Sequence, residues 1–210
     1  MKNEKKLLQL NEAKWDEWAK SLDDKNWRND FLREAQSRVL SLLSFKEDVH
    51  FLDVGCGTGW AVGEFAKLAD DKGAFYGVDL SPKMIEKAKS NFSGMDNFHF
   101  LQANAESIPL DADFFDIIIC TNSFHHYPNP DKALNEMYRL LKKGGKVYVL
   151  DPTSDAWIIK FVDRFIKLVE PEHVKIYSTK EFQQLFDKAG LKYLALEAIN
   201  WHQGIHVGEK

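Results

Sequence analysis

The residues best placed to do chemistry are Phe51-Leu52-Asp53-Val54-Gly55-Cys56-Gly57-Thr58-Gly59, an apolar run that passes straight into three alternating glycines. Glycine at such a point permits positive φ and removes the Cβ atoms that would hold a ligand away from the backbone. A nucleoside or an amino-acid backbone can then lie against the loop. A second apolar run, Phe75-Tyr76-Gly77-Val78-Asp79, ends in a carboxylate 20 residues past Gly59. An ionised carboxylate only accepts hydrogen bonds, so it can hold both hydroxyls of a ribose, each such bond contributing roughly 1.5–3 kcal/mol. Taken singly, the glycines also suit a plain tight turn and Asp79 suits a helix-capping or solvated acid; taken together they predict one adenosyl ligand.

A dinucleotide site would use the same geometry, and spacing separates the two. The dinucleotide pattern wants G-x-G-x-x-G, with the pyrophosphate on the following helix N-terminus. Here Trp60 occupies the place of the third glycine, and a frame starting at Gly57 puts Val62 there, so neither register fits. A nicotinamide-dependent oxidoreductase stays as the competing class. Beyond the loop, Ser123-Phe124-His125-His126-Tyr127-Pro128 offers imidazoles that can take a proton near neutral pH, and His126 is the candidate base. Adjacent histidines without a neighbouring cysteine or carboxylate do not make a usual metal site, so no metal is expected.

These residues need a scaffold that ends several strands at one edge. Short apolar runs at 49–54, 74–79, 98–102, 115–121 and 145–150 alternate with helical patterns at about 59–69, 81–90 and 130–142, which predicts an α/β, doubly wound, mostly parallel sheet. Two further runs, 191–199 and about 203–208, bring it to seven strands. Ser81-Pro82 and Asn129-Pro130 read as N-caps with first-turn prolines, and Gly144 as a helix stop. Ser178 and Glu181 form a capping-box pattern ahead of Phe182, Leu185 and Phe186, and Gly190 ends that helix. Before the sheet, residues 1–45 read as a helical segment carrying Trp15 and Trp18, distinct from a ligand-binding domain over 46–210.

Composition narrows the partners. With 210 residues, 44% hydrophobic and 29% charged, the chain is globular and large enough for a real core. A net charge of −4 argues against nucleic acid. Two cysteines, Cys56 and Cys120, are too few for a disulfide framework and indicate a reducing compartment; with no signal-peptide or membrane-length apolar run, the expected location is cytoplasmic.

The loop and Asp79 join other ordered stretches: Gly77-Val78-Asp79-Leu80-Ser81-Pro82-Lys83-Met84, Gln102-Ala103-Asn104-Ala105-Glu106-Ser107-Ile108-Pro109, Phe115-Asp116-Ile117-Ile118 and Arg139-Leu140-Leu141-Lys142-Lys143-Gly144-Gly145. From about Val49 to Asp151 the chain resembles the class I S-adenosylmethionine-dependent methyltransferases, in particular the ubiquinone and menaquinone biosynthesis group. The resemblance implies a Rossmann-like fold, S-adenosylmethionine as cofactor with S-adenosylhomocysteine as product, and methyl transfer to a small acceptor. It also implies that Asp53, Gly55, Cys56, Gly57, Thr58 and Gly59 surround the methionine part and that Asp79 holds the ribose. Leu80 and Met84 would line the adenine slot, Asn104, Ala105 and Glu106 would meet the adenine edge, and Thr121 and Asn122 would lie beneath the sulfonium. Similar enzymes often have Asp where Asn104 stands.

Thr121-Asn122-Ser123-Phe124 lacks the Asn/Asp-Pro-Pro-aromatic clamp that similar enzymes use for base or amide nitrogens, which leaves small metabolites as acceptors. The stripe Trp157, Ile158, Phe161, Val162, Phe165 and Ile166 predicts a helix packed on the body; in a second reading it joins Trp15, Trp18 and Trp27 as a lid over an apolar or aromatic acceptor. Because methyl transfer requires no particular base, a non-enzymatic module that binds the cofactor is a further alternative.

Overall fold

The computed structural model describes residues 2–170 and 173–210. Two helices, α1 (Lys2–Trp18) and α2 (Trp27–Leu40), precede β1 (Val49–Val54), α3 (Trp60–Leu68), β2 (Gly73–Asp79), α4 (Pro82–Asn91), β3 (Phe98–Gln102) and β4 (Phe115–Thr121). A single 3₁₀ turn (Phe124–His126) leads to α5 (Pro130–Leu140), β5 (Leu141–Pro152), α6 (Trp157–Val169), α7 (Thr179–Lys188), β6 (Lys192–Asn200) and β7 (Gln203–Glu209). The strands form one seven-stranded sheet in the order β3-β2-β1-β4-β5-β7-β6. The first five are parallel, and β7 runs antiparallel between β5 and β6. Strand order reverses at β1, whose neighbours are β2 and β4, and the carboxyl edge at such a reversal is where open α/β sheets form their crevice.

The near-continuous apolar character of the central strands follows from burial on both faces. On one face Phe51 stacks on Phe65 of α3 with centroids 4.1 Å apart, and Ala35, Val39 and Leu40 of α2 join the same core. On the other, Leu52 and Val54 meet Leu134 and Met137 of α5 and Phe182 and Phe186 of α7. The second N-terminal helix, α2, thus shares a core with the sheet.

Helix punctuation agrees with the sequence in two places and departs from it in two. Ser81 caps α4 by accepting from the Met84 amide, and Ser178 and Glu181 make the full reciprocal capping box on α7. Asn129 makes no side-chain cap: its amide group donates to Glu106 and to Glu4. Gly144 does not stop α5, which ends at Leu140. Leu141 is already extended and pairs with Phe115, whereas the next partners are Ile117 and Lys146, so Gly144 (φ +79°) and Gly145 form the irregular start of a longer β5. Burial of Leu141 against Phe115, both fully enclosed, outweighs one more helical turn.

Among the described residues, no helix is long and apolar enough to cross a membrane. Val162, Phe165 and Val169 of α6 face outward, 41%, 64% and 58% exposed, while Ile159 is buried, so the helix is only partly packed on the body. The side chains of Trp157, Ile158 and Phe161 lie outside the described residues. Replacing Ser178 with alanine should cost about 1 kcal/mol in urea unfolding, since it removes the hydroxyl that accepts from the Glu181 amide while the Ser178 amide keeps its bond to Glu181; an unchanged midpoint would show that the hydroxyl arm adds nothing.

Candidate active site

β1 delivers Val54 to the sheet edge, and the chain leaves through Gly55 (φ +84°) and Gly57 (φ +54°). The bend is pinned to the neighbouring strand: the Gly55 and Cys56 amides both donate to the Val78 carbonyl, at 2.8 and 3.0 Å. The Gly57 amide donates to Asp79 Oδ2 and the Ser81 amide to Asp79 Oδ1, each at 2.9 Å. A Cβ on Gly55 would lie 2.5 Å from Ser123 Oγ, and one on Gly57 would lie 2.9 Å from Leu22 Cδ2. Positive φ and lack of room both require bare backbone here. Asp79 therefore spends one lone pair per oxygen on protein amides, and a carboxylate with about four acceptor sites has two left for a diol. Burial raises its pKa while the surrounding backbone amides of Ser81, Gly57 and Leu80 oppose the rise.

The bend and Asp79 open on one crevice of about 470 Å³, a size typical of small-ligand sites. Of the residues expected from sequence, Gly55, Cys56, Gly57, Thr58, Asp79, Leu80, Met84, Asn104, Ala105, Thr121, Asn122 and His126 all line it. Three do not. Gly59 is the left-handed N-cap of α3, turned toward Phe100 and Phe92. Glu106 turns away to accept from the Asn129 amide and side chain, its own side chain only 6% exposed. Asp53 sits one residue back on β1, fully buried.

Asp53 decides what the crevice suits. Neither of its carboxylate oxygens has a protein hydrogen-bond partner, and burial, aided by the nearby Asp79, pushes its pKa up to about 8. A buried acid with both oxygens unmatched is costly unless a cation arrives. On the crevice wall, Asn122 Nδ2 is also buried without a partner, while its Oδ1 accepts from Gln203 Nε2 at 3.1 Å. An unmatched acid and an unmatched donor suit the ammonium and carboxylate of an amino-acid moiety, as S-adenosylmethionine carries. The two thiols offer no competing chemistry: burial raises Cys56 well above its ordinary value and Cys120 to about 12, so both stay protonated.

The roof of the crevice comes from the N-terminal helices and the turn between them. Thr58 Oγ1 donates to Asp23 at 2.7 Å, Ser81 Oγ to Asp16 at 2.5 Å, and Gln36 Nε2 to Thr121 Oγ1 at 3.0 Å. Trp15 and Trp18 face the crevice, Trp15 lying edge-on to His126 with centroids 5.0 Å apart. Trp27 stands apart at 83% exposure. Sequence reasoning placed Trp15 and Trp18 but missed Asp16, Asp23 and Gln36, since isolated polar residues on a charged helix carry no signal of what they will meet. Ser123 and Tyr127 brace the loop from below, their hydroxyls 2.9 Å apart and each donating to the Val54 carbonyl at 3.3 Å.

The histidines are not as isolated as the sequence suggests. His125 Nδ1 lies 2.8 Å from Asp151 Oδ1, and His173, after α6, has its Nε2 2.7 Å from Asp163 Oδ1. The expectation that the paired histidines lack carboxylate neighbours is overturned, because β5 and α6 return those acids from 26 and 38 residues downstream of His125. Burial drives His125 down to about 3 and Asp151 well up, both toward their neutral forms.

A family profile described as a methyltransferase domain matches residues 45–190. The chain belongs to the methyltransferase domain family. The crevice is that of this methyltransferase domain. Its relatives include the uncharacterized methyltransferase YcgJ of Bacillus subtilis, 33% identical over 153 residues that make up 71% of this chain and 59% of that protein. A ubiquinone/menaquinone biosynthesis C-methyltransferase, UbiE of Vibrio vulnificus, is 37% identical over 103 residues, 48% of this chain and 40% of its own length. The crystal structure of the Bacillus YcgJ protein superimposes with a TM-score of 0.69 at 30% identity, covering 77% of this chain and 70% of that one. The chain thus spans 59% and 40% of the lengths of these two curated relatives.

The Asp53 carboxyl gives a pH signature without ligand. Its folded pKa is near 8 against 3.8 unfolded. Between those values the folded chain keeps a proton that the unfolded chain releases, so Asp53 lowers stability as pH rises through the window by up to about 1.4 kcal/mol per unit. Asp53→Asn should therefore melt higher than wild type by a margin that widens from about pH 5 to about pH 8. A constant or shrinking margin would mean that Asp53 is ionised in the free protein.

Proposed function

We propose that the chain transfers a methyl group from S-adenosylmethionine to a small acceptor whose apolar or aromatic body rests against Trp15 and Trp18. The single observation carrying this reading is that the glycine bend, Asp79, the unmatched Asn122 and the Trp15–His126 wall line one continuous crevice, with the unmatched Asp53 buried one residue behind the bend. The bound cofactor supplies an electrophilic methyl on a sulfonium, displaced in line as positive charge disappears. What the protein contributes is position and dryness. Asp79 orients the ribose, the backbone from Gly55 to Gly57 lets the amino-acid part lie close, and Asp53 and Asn122 hold its two charges. Trp15, Trp18 and Leu22 close the roof against water. His126, only 7% exposed on the same wall, is the side chain placed to take a proton from the acceptor.

The nicotinamide reading fares worse on a specific contact. A pyrophosphate would sit at the start of α3, where Asp23 already presents a carboxylate to Thr58 at 2.7 Å. Like charges at that helix N-terminus oppose the ligand. The relative named for ubiquinone and menaquinone biosynthesis makes quinols and related phenols the first acceptors to try, consistent with an aromatic-walled pocket.

Calorimetric titration with S-adenosylmethionine and S-adenosylhomocysteine tests the proposal. Both should bind, Asp79→Ala should weaken each by roughly 1.5–3 kcal/mol, and His126→Ala should leave affinity within about twofold while lowering turnover of any acceptor found. No heat with either ligand at high protein concentration would remove the proposal, and equal affinity for wild type and Asp79→Ala would remove the ribose assignment.

A further inference from the structure

Three imidazoles converge at the acceptor end of the crevice. His125 and His126 come from the 3₁₀ turn after β4, and His173 from the stretch between α6 and α7. One ring nitrogen of each lies within 4.8 Å of the other two. Adjacent histidines usually point apart, but the tight turn holds these two rings with centroids 4.0 Å apart, and His173 lies 5.6 and 6.1 Å from them. Two carboxylates stand behind the rings, Asp151 on His125 Nδ1 at 2.8 Å and Asp163 on His173 Nε2 at 2.7 Å. Asp163 is itself fixed by the Ile176 amide at 2.8 Å and by Lys167 at 3.1 Å.

A ring that donates one N–H to a carboxylate presents its other nitrogen as a lone pair, and this carboxylate–imidazole relay is what orients histidines on metal ions. We propose that His125, His126 and His173 form a binding site for a divalent transition-metal ion, zinc first, with its fourth position open to the acceptor end of the crevice. Three imidazole nitrogens favour zinc and its neighbours over the oxygen-seeking magnesium and calcium. Three protein ligands and one open position is the arrangement of reactive zinc sites, whereas buried structural sites close all four. His125, His126 and Glu170 reach the crevice surface, and His173 lies behind them, its side chain 2% exposed.

A second observation points the same way. Asp151 is fully buried, yet its Oδ2 has no partner. An ion on the His125 ring would supply the positive charge that such an acid lacks. The geometry must tighten to bind. A tetrahedral ion with Zn–N near 2.0–2.1 Å puts its nitrogens about 3.3 Å apart, so ring nitrogens now up to 4.8 Å apart would draw inward. His173 sits on a segment without helix or strand, where a small backbone shift supplies that movement. The opposing reading is a cluster of rings that only fills space and satisfies the two acids.

Metal binding stands apart from the proposed methyl transfer; only the occupant of the fourth position, an oxygen or nitrogen donor on the acceptor, rests on that reading. With the ion bound, His126 is a ligand and not a base. The experiment strips the full chain with a chelator, then titrates it with zinc by calorimetry and with cobalt(II) by visible spectroscopy. One zinc per chain and an intense four-coordinate cobalt spectrum are expected. His173→Ala should weaken binding at least about 100-fold and Asp163→Asn about 10- to 100-fold, while the distant His99→Ala changes nothing. His173→Gln, whose amide keeps the bond to Asp163, replaces the alanine variant if circular dichroism shows the latter unfolded. S-adenosylhomocysteine is titrated into every variant separately, so loss of the cofactor reading and loss of the metal reading are seen independently. Absence of zinc binding by the wild type, or binding that survives both His173 substitutions unchanged, overturns the proposal.

Discussion

The geometry of the whole site depends on the Asp79 carboxylate. It reaches back from the end of β2 to the Gly57 amide and forward to the Ser81 amide, tying the bend after β1 to the cap of α4. Both ties sit at the reversal point of the sheet, where β1 has β2 on one side and β4 on the other. Because each Asp79 oxygen uses a single lone pair on the protein, the same group that sets the shape of the loop can also take a ligand diol. Shape and recognition are one interaction, which explains why the glycines and the acid have to be read together.

Around that tie the protein accepts electrostatic cost. Asp53, Asp79 and Asp151 all have carboxyl pKa values raised by burial, and two of them keep oxygens with no partner. Unmatched buried acids are destabilising in the free protein. Two extensive apolar layers, one under α2 and α3 and one under α5 and α7, supply the burial against which that cost is set. The acids lie at the carboxyl ends of β1, β2 and β5, which is the edge where a cationic ligand would meet them. The first N-terminal helix and the turn after it complete the arrangement by placing Asp16 and Asp23 on Ser81 and Thr58, so the roof is attached to the ligand loops themselves.

Much of this was legible in the residues because it depends on local rules. Apolar runs of strand length gave the seven strands, serine caps gave two helix starts, and the bend from Gly55 to Gly59 followed from glycine alone. Where sequence reasoning failed, tertiary contact overruled a local preference. The Asn129 side chain turns from capping α5 to Glu106, and Leu141 leaves the helix for Phe115. The carboxylates behind His125 and His173 were invisible because they are brought together only by the return of β5 and the packing of α6. Glu106 was assigned to the ligand by resemblance, and only the position of Asn129 shows where its charge goes.

A crystal structure of the chain with S-adenosylhomocysteine tests the central claim most directly. The account predicts both ribose hydroxyls within about 3.2 Å of the Asp79 oxygens, the homocysteine backbone along Gly55 to Gly57, and the ammonium on the Asp53 side of the loop. A ligand bound elsewhere, or one whose ribose faces away from Asp79 with the bend left bare, would contradict it.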